Sequence, residues 1–342
     1  MTLKVGIIGA TGMVGQRFIS LLQDHPTFRV SEVIASQRSA GKKYADAVKW
    51  VLDEDRPTHV DDLDVKLASD ELDCDMLFSA APGGLAHQME LDLAKRGYHV
   101  FSNAKDHRWT ADAPLLLPEV NSAHLPLVEQ QKTDGKIMTG GNCSTITMTM
   151  ALAPLHEAFG LQKAVVCTYQ ALSGAGWPGV PSMAIGGNIL PYIGGEEDKI
   201  ENEARRFLGT YTGREIALAN FAVSATAVRV PVLEGHTCAV SATFRDAPTP
   251  EAAAEVLRNW RPEPQQLKLP SAPERPVIVR TEDDRPQPRK DAHAGHGMSA
   301  TVGRLRADPV MGLKFVVCAS NTIRGAAGTN ILSAELFAQR YL

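Results

Sequence analysis

A glycine-rich turn near the N-terminus limits the folds open to this chain: Gly9, Gly12 and Gly15 recur with a spacing of three. A continuous apolar run over residues 3–8 precedes the turn, as expected for a buried parallel strand, and a helix-like stretch follows it. Glycines at such a junction allow a tight turn and let a pyrophosphate approach the helix N-terminus. The flanking strand and helix predict a dinucleotide-binding turn, whereas the glycine spacing alone is a weak signal.

Strand-like and helix-like segments alternate up to about residue 140, which predicts a parallel sheet with helices on both faces. Beyond that point the β-like runs are longer and the intervening helices few, as in an α+β domain with a mixed, largely antiparallel sheet. A chain of 342 residues is also too long for one ordinary domain. We therefore assign the α/β class, with a Rossmann-type doubly wound parallel sheet followed by an α+β domain. Seven prolines within residues 261–290 predict a wrapping loop there.

Charge and composition argue against several classes of protein. Lys and Arg number 35 against 39 Asp and Glu, so a basic nucleic-acid-binding face is not expected. No apolar run approaches the roughly 20 residues needed to span a bilayer, and the early first strand argues against a signal peptide. The five cysteines are scattered and lack CxxC spacing, which argues against disulfides and against a metal site. We expect a cytoplasmic protein with neither nucleic-acid nor membrane partners.

The end of the second predicted strand favours NADP over NAD. An NAD site usually places Asp or Glu there to bind the ribose hydroxyls. This chain instead carries Ser36, Arg38 and Ser39, and an arginine with hydroxyls suits a ribose 2′-phosphate. The nearby Lys42 and Lys43 are equally consistent with a solvated loop.

Cys143 is the candidate nucleophile among the five cysteines. It follows Gly140, Gly141 and Asn142 and directly precedes a helix-like stretch, so backbone N–H groups should face its sulfur. A helix N-terminus is expected to favour the thiolate and to lower the thiol pKa. His236, after a strand and a Glu-Gly turn, is the candidate proton-transfer partner, although composition alone would favour a structural role for it.

Eight ordered blocks resemble the aspartate-semialdehyde dehydrogenases of archaea and fungi, over nearly the whole chain. Chance agreement of so many blocks in order is not credible. The blocks are GATGMVGQRF (9–18), ASQRSAGKKY (35–44), PLLLPEVN (114–121), NCST (142–145), TYQALSGAGWPGVPS (168–182), RVPV-x-x-GH (229–236), EDDRPQPR (282–289) and NTIRGAAG (321–328). One departure is Gly141, where the family more often has Pro, Ser or Ala.

The resemblance implies a role for each matching residue. Cys143 would be the nucleophile, His236 the general acid/base, and Gln170 would orient the reacting group. The implied substrate-binding residues are Arg229 for the α-carboxylate, Glu196 for the ammonium, Arg108 and Lys199 for phosphate, and Asn142 beside the nucleophile. Two alternatives stay open: Glu197 in place of Glu196, and ordinary solvated charges at Arg108 and Lys199. The implied cofactor-binding residues are Gly9, Thr11, Gly12, Met13, Val14, Ser36, Arg38, Ser39, Ser173, Gly174 and Asn321.

The resemblance also implies an activity and a domain plan. The activity is NADP-dependent, reversible conversion of L-aspartyl 4-phosphate into L-aspartate 4-semialdehyde and phosphate, in the pathway to lysine, threonine and methionine. An NADP-binding domain would span residues 1–141 and be completed by a C-terminal helix within 322–342. Residues 142–321 would form the catalytic and dimerisation domain of a homodimer or homotetramer.

Other functions share many of these features. A malonyl-CoA reductase would use the same scaffold, NADP loop, cysteine and histidine, although NCST resembles the dehydrogenase pattern more closely. An N-acyl-glutamyl-phosphate reductase would not be expected to carry RVPV-x-x-GH or EDDRPQPR in this form. A non-enzymatic NADP sensor would have little reason to keep Cys143, Gln170, Arg229 and His236 together.

Overall fold

A parallel sheet forms the N-terminal part of the computed structural model, which describes residues 2–342. Its strands are β1 Leu3–Ile8, β2 Phe28–Ile34, β3 Val65–Lys66, β4 Met76–Ser79, β5 His99–Ser102, β6 Leu115–Leu116 and β7 Ile137–Gly140. They lie in the order β3-β2-β1-β4-β5-β7-β6, and all paired neighbours run parallel. The strand order changes direction at β1, and ligands of such sheets bind in the crevice at this switch point.

Helices connect these strands. They are α1 Met13–Leu21, α2 Tyr44–Ala47, α3 Ala86–Lys95 and α4 Pro118–Asn121, followed by a 3₁₀ segment over Ser122–Gln130. Helix α1 begins directly after Gly12, so the glycine-rich turn joins β1 to a helix N-terminus as expected. The crevice at the switch point is therefore bordered by free backbone N–H groups.

A second, mixed sheet dominates the rest of the chain. The strands of this part are β8 Leu161–Gln170, β9 Thr210–Tyr211, β10 Ile216–Ala217, β11 Ala222–Arg229, β12 His236–Phe244, β13 Val277–Val279, β14 Ala300–Asp308 and β15 Gly312–Ala319. Strands β9 and β10 form a separate hairpin, and the sheet runs β11-β8-β12-β15-β14-β13. Its outer pairs β11–β8 and β13–β14 are parallel and its inner pairs antiparallel.

The helices of this part are α5 Cys143–Phe159, α6 Ser182–Ile185, α7 Glu196–Phe207, α8 Pro250–Asn259, α9 Glu263–Gln266, α10 Pro288–Asp291 and α11 Gly328–Tyr341. A 3₁₀ turn covers Leu172–Ala175 and a π-helical turn covers Ile323–Ala327. Helix α5 is buried on nearly all sides. It packs on the inner face of the mixed sheet, and together they form the hydrophobic core of this part of the chain. Helix α11 returns to the hydrophobic core of the parallel sheet, where Ile331, Leu332 and Phe337 pack with Phe101.

The α/β class with a parallel sheet followed by a mixed one is confirmed. The expected wrapping loop over residues 261–290 is only partly right, because Val277–Val279 pairs with β14 and Val277 is buried. The division at residue 141 stays a prediction. Across residues 2–342, no helix combines the length and apolarity needed to cross a membrane.

Candidate active site

Cys143 lies at the first position of α5, immediately after strand β7 and a two-residue connection. The side chain of Asn142 caps this helix, accepting hydrogen bonds from the backbone N–H groups of Ser144 (3.0 Å) and Thr145 (3.1 Å). Asparagine is among the best N-cap residues, so the helix begins here for a local reason. The thiol therefore sits at a helix N-terminus, and Cys143 keeps partial solvent exposure.

His236 is the first residue of β12 and is fully buried. Its Nε2 lies 3.1 Å from the Sγ of Cys143, and its Nδ1 accepts a hydrogen bond of 3.1 Å from the backbone N–H of Ala171. Because an amide N–H can only donate, a neutral His236 carries its proton on Nε2, which faces the sulfur. The two predicted catalytic residues are thus in direct contact.

Burial shapes the protonation of this pair. It raises the pKa of the Cys143 thiol to about 12; Glu196 adds to the rise, and Arg108, Arg229 and the Ser144 N–H oppose it. The expectation of a lowered thiol pKa is therefore wrong for the ligand-free protein, because desolvation outweighs the helix end. Burial, with Arg229 beside it, lowers the pKa of His236 to about 3. The resting pair is a neutral thiol and a neutral imidazole.

Glu196, the first residue of α7, lies on the other side of Asn142. It accepts hydrogen bonds from Asn142 Nδ2 (2.7 Å), Gln170 Nε2 (3.2 Å) and Lys199 Nζ (2.7 Å). Burial would raise its pKa, but these bonds outweigh burial and hold the pKa below its usual value. Glu196 is therefore a buried carboxylate whose partners are all movable side chains. The alternative Glu197 instead accepts from the backbone N–H of Ala227.

Two buried arginines complete the cluster. Arg229 ends β11 and donates to the carbonyl of Ala171 at 2.6 Å. Arg108 follows β5 and donates to Glu203 (2.8 Å) and to the carbonyl of Asn103 (3.1 Å). Burial lowers the pKa of Arg229, which nonetheless stays cationic. The cluster thus brings two guanidinium groups close enough to act on the thiol electrostatically.

Gly174 lies against this cluster. A Cβ at that position would lie 2.7 Å from Arg229 Nη1 and 2.8 Å from His236 Cε1. A side chain larger than hydrogen would therefore push apart two of the candidate site residues. The glycine is needed for close approach.

The glycines of the N-terminal turn are equally constrained. Gly9 has a φ of 74°, and a Cβ there would lie 2.7 Å from the carbonyl oxygen of Ala80. A Cβ at Gly15 would lie 2.1 Å from the carbonyl oxygen of Gly9. Only glycine lets α1 pack this closely against the end of β1. Gly12 precedes α1, while Thr11 and Met13 line the adjoining cleft.

The other predicted cofactor residues lie in two separate parts of the structure. Asn321 donates to the Oγ of Ser173 at 2.8 Å and accepts from the backbone N–H of Gly235 at 2.9 Å. This brings the 3₁₀ turn with Ser173 beside the strand that begins with His236. Ser36, Arg38 and Ser39 follow β2 instead, outside the hydrogen-bonded cluster around Cys143, and Arg38 is exposed.

Two buried residues of this region, Glu203 and Gln16, have no role predicted from the sequence, although Gln16 lies within the block at residues 9–18. Glu203 joins Arg108 to the backbone N–H of Asn142. Gln16 ties the carbonyl of Thr11 (3.0 Å) to the segment at Lys49 and Val51. Helical spacing was the available signal for Glu203, which follows Glu196 by seven residues and so shares its face of α7.

The chain is similar to known semialdehyde dehydrogenases. Two family models match: "Semialdehyde dehydrogenase, NAD binding domain" over residues 4–127 and "Semialdehyde dehydrogenase, dimerisation domain" over residues 152–324. The chain is 47% identical to aspartate-semialdehyde dehydrogenase of Archaeoglobus fulgidus, covering 98% of both chains. It is 42% identical to the Schizosaccharomyces pombe enzyme, covering 99% of both.

A solved structure agrees with these sequence matches. The crystal structure of aspartate semialdehyde dehydrogenase with NADP from Candida albicans superposes with a TM-score of 0.91, at 40% identity over 99% of both chains. The glycine-rich turn lies within the first family-model match; Cys143 lies between the two model matches but within the near full-length matches to the relatives. This chain therefore belongs to the aspartate-semialdehyde dehydrogenase family, in the group with archaeal and fungal members.

Proposed function

We propose that this protein is an NADP-dependent aspartate-semialdehyde dehydrogenase that interconverts L-aspartyl 4-phosphate with L-aspartate 4-semialdehyde and phosphate. The observation that carries the proposal is the contact of 3.1 Å between Cys143 Sγ and His236 Nε2 at a helix N-terminus. A nucleophile, a proton-bearing ring and buried arginines within one cleft suit acyl chemistry on an anionic substrate. The family membership supports the same reaction.

In the oxidative direction, Cys143 forms a bond from sulfur to the aldehyde carbon, and the carbonyl π electrons move to the oxygen. His236 acts as general acid/base in this step: Nε2, which bears the proton because Nδ1 accepts from Ala171, gives that proton to the oxygen and takes up the proton of the thiol. The oxygen loses its proton again when the hydride leaves and the C=O bond re-forms. Bound NADP supplies the acceptor for the hydride that leaves the same carbon. Cys143 then carries a thioester, which phosphate attacks while the C–S bond breaks. Covalent catalysis thereby divides one difficult step into two easier ones.

The side chains around the thiol fit the substrate's charges. Arg229 can bind the α-carboxylate through its planar fork of donors, and Glu196 can accept the ammonium in place of Lys199 or Asn142. Arg108 and Lys199 supply positive charge for phosphate. Among residues 2–342, Arg108 Nε is buried without a hydrogen-bond partner, which supports an oxyanion site there. Gln170, hydrogen-bonded to Glu196, helps to orient the reacting group.

The residues present also fit NADP. Gly9 and Gly15 let the turn pack tightly against the end of β1, and the cleft beside it is lined by Thr11, Gly12, Met13 and Val14, where a pyrophosphate would meet the N-terminus of α1. Ser36, Arg38 and Ser39 would hold the 2′-phosphate after β2. Ser173, Gly174 and Asn321 lie beside the catalytic pair and would face the nicotinamide. The related Candida albicans structure contains NADP.

We further propose that the chain works as a homo-oligomer. The outer face of the mixed sheet exposes Val165 and Tyr169, at 50% and 42% of their surface. A matched model for a dimerisation domain covers this sheet. In cells the reductive direction would feed lysine, threonine and methionine synthesis, as the resemblance implies, and cytoplasmic location would follow.

Nicotinamide absorbance tests the reaction and its cofactor together. We expect NADP⁺ to be reduced with aspartate semialdehyde only when phosphate is present, and NAD⁺ to work less well. Cys143→Ser should abolish turnover but still bind NADP⁺, which separates an enzyme from a cofactor sensor. NADPH consumption with malonyl-CoA, without reaction of aspartate semialdehyde, would instead identify a malonyl-CoA reductase.

A further inference from the structure

Glu203 connects two parts of the candidate site through one carboxylate. It lies on α7 seven residues after Glu196, about two helical turns, and is 1% exposed. Its Oε1 accepts from Arg108 Nη1 at 2.8 Å, and its Oε2 accepts from the backbone N–H of Asn142 at 2.6 Å. The same group therefore touches the arginine proposed for phosphate and the residue next to the nucleophile.

The two carboxylates of α7 differ in what they hold. Glu196 accepts only from side chains, which can rotate away when a substrate ammonium arrives. Glu203 accepts from the backbone of the N-cap residue of α5, which cannot rotate away. Releasing either partner would leave a buried charge or a buried N–H unsatisfied. Glu203 is therefore the fixed member of the pair.

Gly141 brings α7 into direct contact with the backbone before Cys143. A Cβ at position 141 would lie 3.2 Å from Glu203 Oε2 and 2.4 Å from Phe207 Cζ. Glu203 and Phe207 are one helical turn apart, so one face of α7 packs on this loop. The carboxylate position is thus set by packing as well as by hydrogen bonds.

Arg108 is held so that most of its donors stay free. A guanidinium has five N–H groups. Glu203 and the carbonyl of Asn103 each use one, on different nitrogens. Three N–H groups remain for an oxyanion, including the buried Nε that has no partner within the described chain.

We propose that Glu203 is a positioning residue, which sets where the guanidinium of Arg108 lies relative to the thiol of Cys143. The inference rests on the proposed function, in which a phosphate oxygen bonds to the thioester carbon as sulfur leaves as thiolate. An error of about 1 Å in the approach of a reactant can cost about a hundredfold in rate. Glu203 matters for this second step because it ties the phosphate site to the acyl-carrying sulfur.

The test separates the two half-reactions in three variants. Glu203→Asp keeps the charge but shortens the side chain, Arg108→Lys keeps the charge but removes the fork, and the third variant combines both. Single-turnover reduction of NADP⁺ without phosphate reports the first step, and kcat/KM for phosphate reports the second. We expect Glu203→Asp to lower kcat/KM for phosphate by about tenfold or more while changing the single turnover much less. The kcat/KM for phosphate of the double variant should be only slightly lower than that of Arg108→Lys alone, because both changes disturb the same contact.

A matched control lies on the same helix. Glu201 also accepts from a backbone N–H, that of Ala225 at 2.9 Å, but outside the site. Glu201→Asp should leave both half-reactions unchanged. Glu203→Gln keeps the length but replaces one acceptor oxygen with a donor, and it should lower the same phosphate constant. NADP⁺ binding by each variant checks that it is folded.

The outcomes distinguish the two proposals. If Arg108→Lys leaves the phosphate dependence intact, the phosphate site of the proposed function is wrong, and the positioning role falls with it. If Arg108→Lys impairs phosphate use but neither Glu203 variant does, only the positioning role is overturned. Losses that are additive in the double variant, or equal for both half-reactions, would also overturn it.

Discussion

The orientation of the His236 ring depends on one hydrogen bond, donated by the backbone N–H of Ala171 to Nδ1. A flipped ring would place a carbon against that buried N–H, which would then lack an acceptor. The bond therefore fixes both the orientation and the tautomer, and it turns the Nε2 proton toward Cys143. Burial then keeps the ring neutral, with a pKa lowered to about 3.

This protonation state has a consequence for acid stability. An unfolded histidine titrates near pH 6.5. Between pH 6.5 and about pH 3, the unfolded chain therefore binds a proton at residue 236 that the folded protein does not. The contribution of His236 to stability is complete above about pH 6.5 and decreases by about 1.4 kcal/mol per pH unit below it. Urea unfolding can be measured at about pH 7 and at about pH 5. The decrease in the free energy of unfolding from the higher to the lower pH should be larger for the unaltered protein than for His236→Asn.

Nitrogen NMR of histidine-labelled protein gives an independent check on the same group. The resonances absent from His236→Asn should show a neutral ring protonated on Nε2 down to about pH 5. A titration near the ordinary histidine pKa, or a proton on Nδ1, would contradict the assignment. The other histidines are common to both samples and cancel in the comparison.

At Gly141, the addition of a single Cβ atom is expected to change both stability and activity. We expect Gly141→Ala to cost about 1–3 kcal/mol of stability, because its Cβ meets the ring of Phe207 at 2.4 Å. Denaturant unfolding measures the loss, and kcat should fall as well because the loop carries Asn142 and Cys143. Gly194→Ala is the control, since its Cβ would lie no closer than 4.0 Å to a neighbouring atom, the hydroxyl oxygen of Tyr192, and should change stability far less. Equal effects in the two variants would show that packing at Gly141 is loose.

At the scale of elements, the start of α5 combines two tasks in Asn142. Its Oδ1 caps the helix, and its Nδ2 donates to Glu196 at 2.7 Å. The cap determines where the helix begins and hence where the thiol lies. The amide donor holds Glu196 next to it, so helix formation and the proposed recognition of the substrate share one side chain.

Asn142→Asp separates these tasks. Aspartate caps a helix as well as asparagine does, but its second oxygen would face Glu196. Two such carboxylates can share one proton at low pH and repel each other when both ionise. The kcat/KM of the variant relative to the unaltered protein should therefore decline as pH rises; a constant ratio would exclude this account. Thr249→Ala, which removes the cap of α8, should cost about 1 kcal/mol of stability and leave kcat/KM unchanged.

At the scale of the whole molecule, the site lies where the two sheets meet. Arg108 comes from the turn after β5 of the first sheet, and the other charged residues around Cys143 come from the second part of the chain. The C-terminal segment connects back to the first part of the chain. Arg324 forms a fully buried ion pair with Glu119, and α11 then packs in the hydrophobic core of the parallel sheet. The outer face of the mixed sheet is left exposed.

The exposed outer face of the mixed sheet predicts where the subunits of the proposed homo-oligomer contact each other. Val165→Lys should shift the protein toward the monomer in light scattering after size exclusion, because a lysine inside the proposed interface would be costly to desolvate. Val310→Lys is a suitable control, since Val310 is 84% exposed in the turn between β14 and β15. An unchanged mass for Val165→Lys would place the interface elsewhere.

Much of the site was predictable because its signals are local. The glycine-rich turn, the cap at Asn142 and the alternation along β8 depend on residues that are neighbours in the chain. The thiol pKa was predicted in the wrong direction, because a helix end can be read from the sequence while desolvation depends on everything packed around the sulfur. The strand at Val277–Val279 was missed because prolines surround it and its partner β14 lies farther along the chain.

The sequence was enough to predict the α/β class, the glycine-rich turn after β1 and the side chains proposed to react. How these side chains meet depends on the packed fold. His236 reaches Cys143 across 93 residues, and Glu203 reaches Arg108 across 95, because β8, β11 and β12 pair in one sheet with α5 and α7 packed nearby. Pairing of distant strands and burial of charges depend on the whole core, so short-range sequence patterns do not specify them.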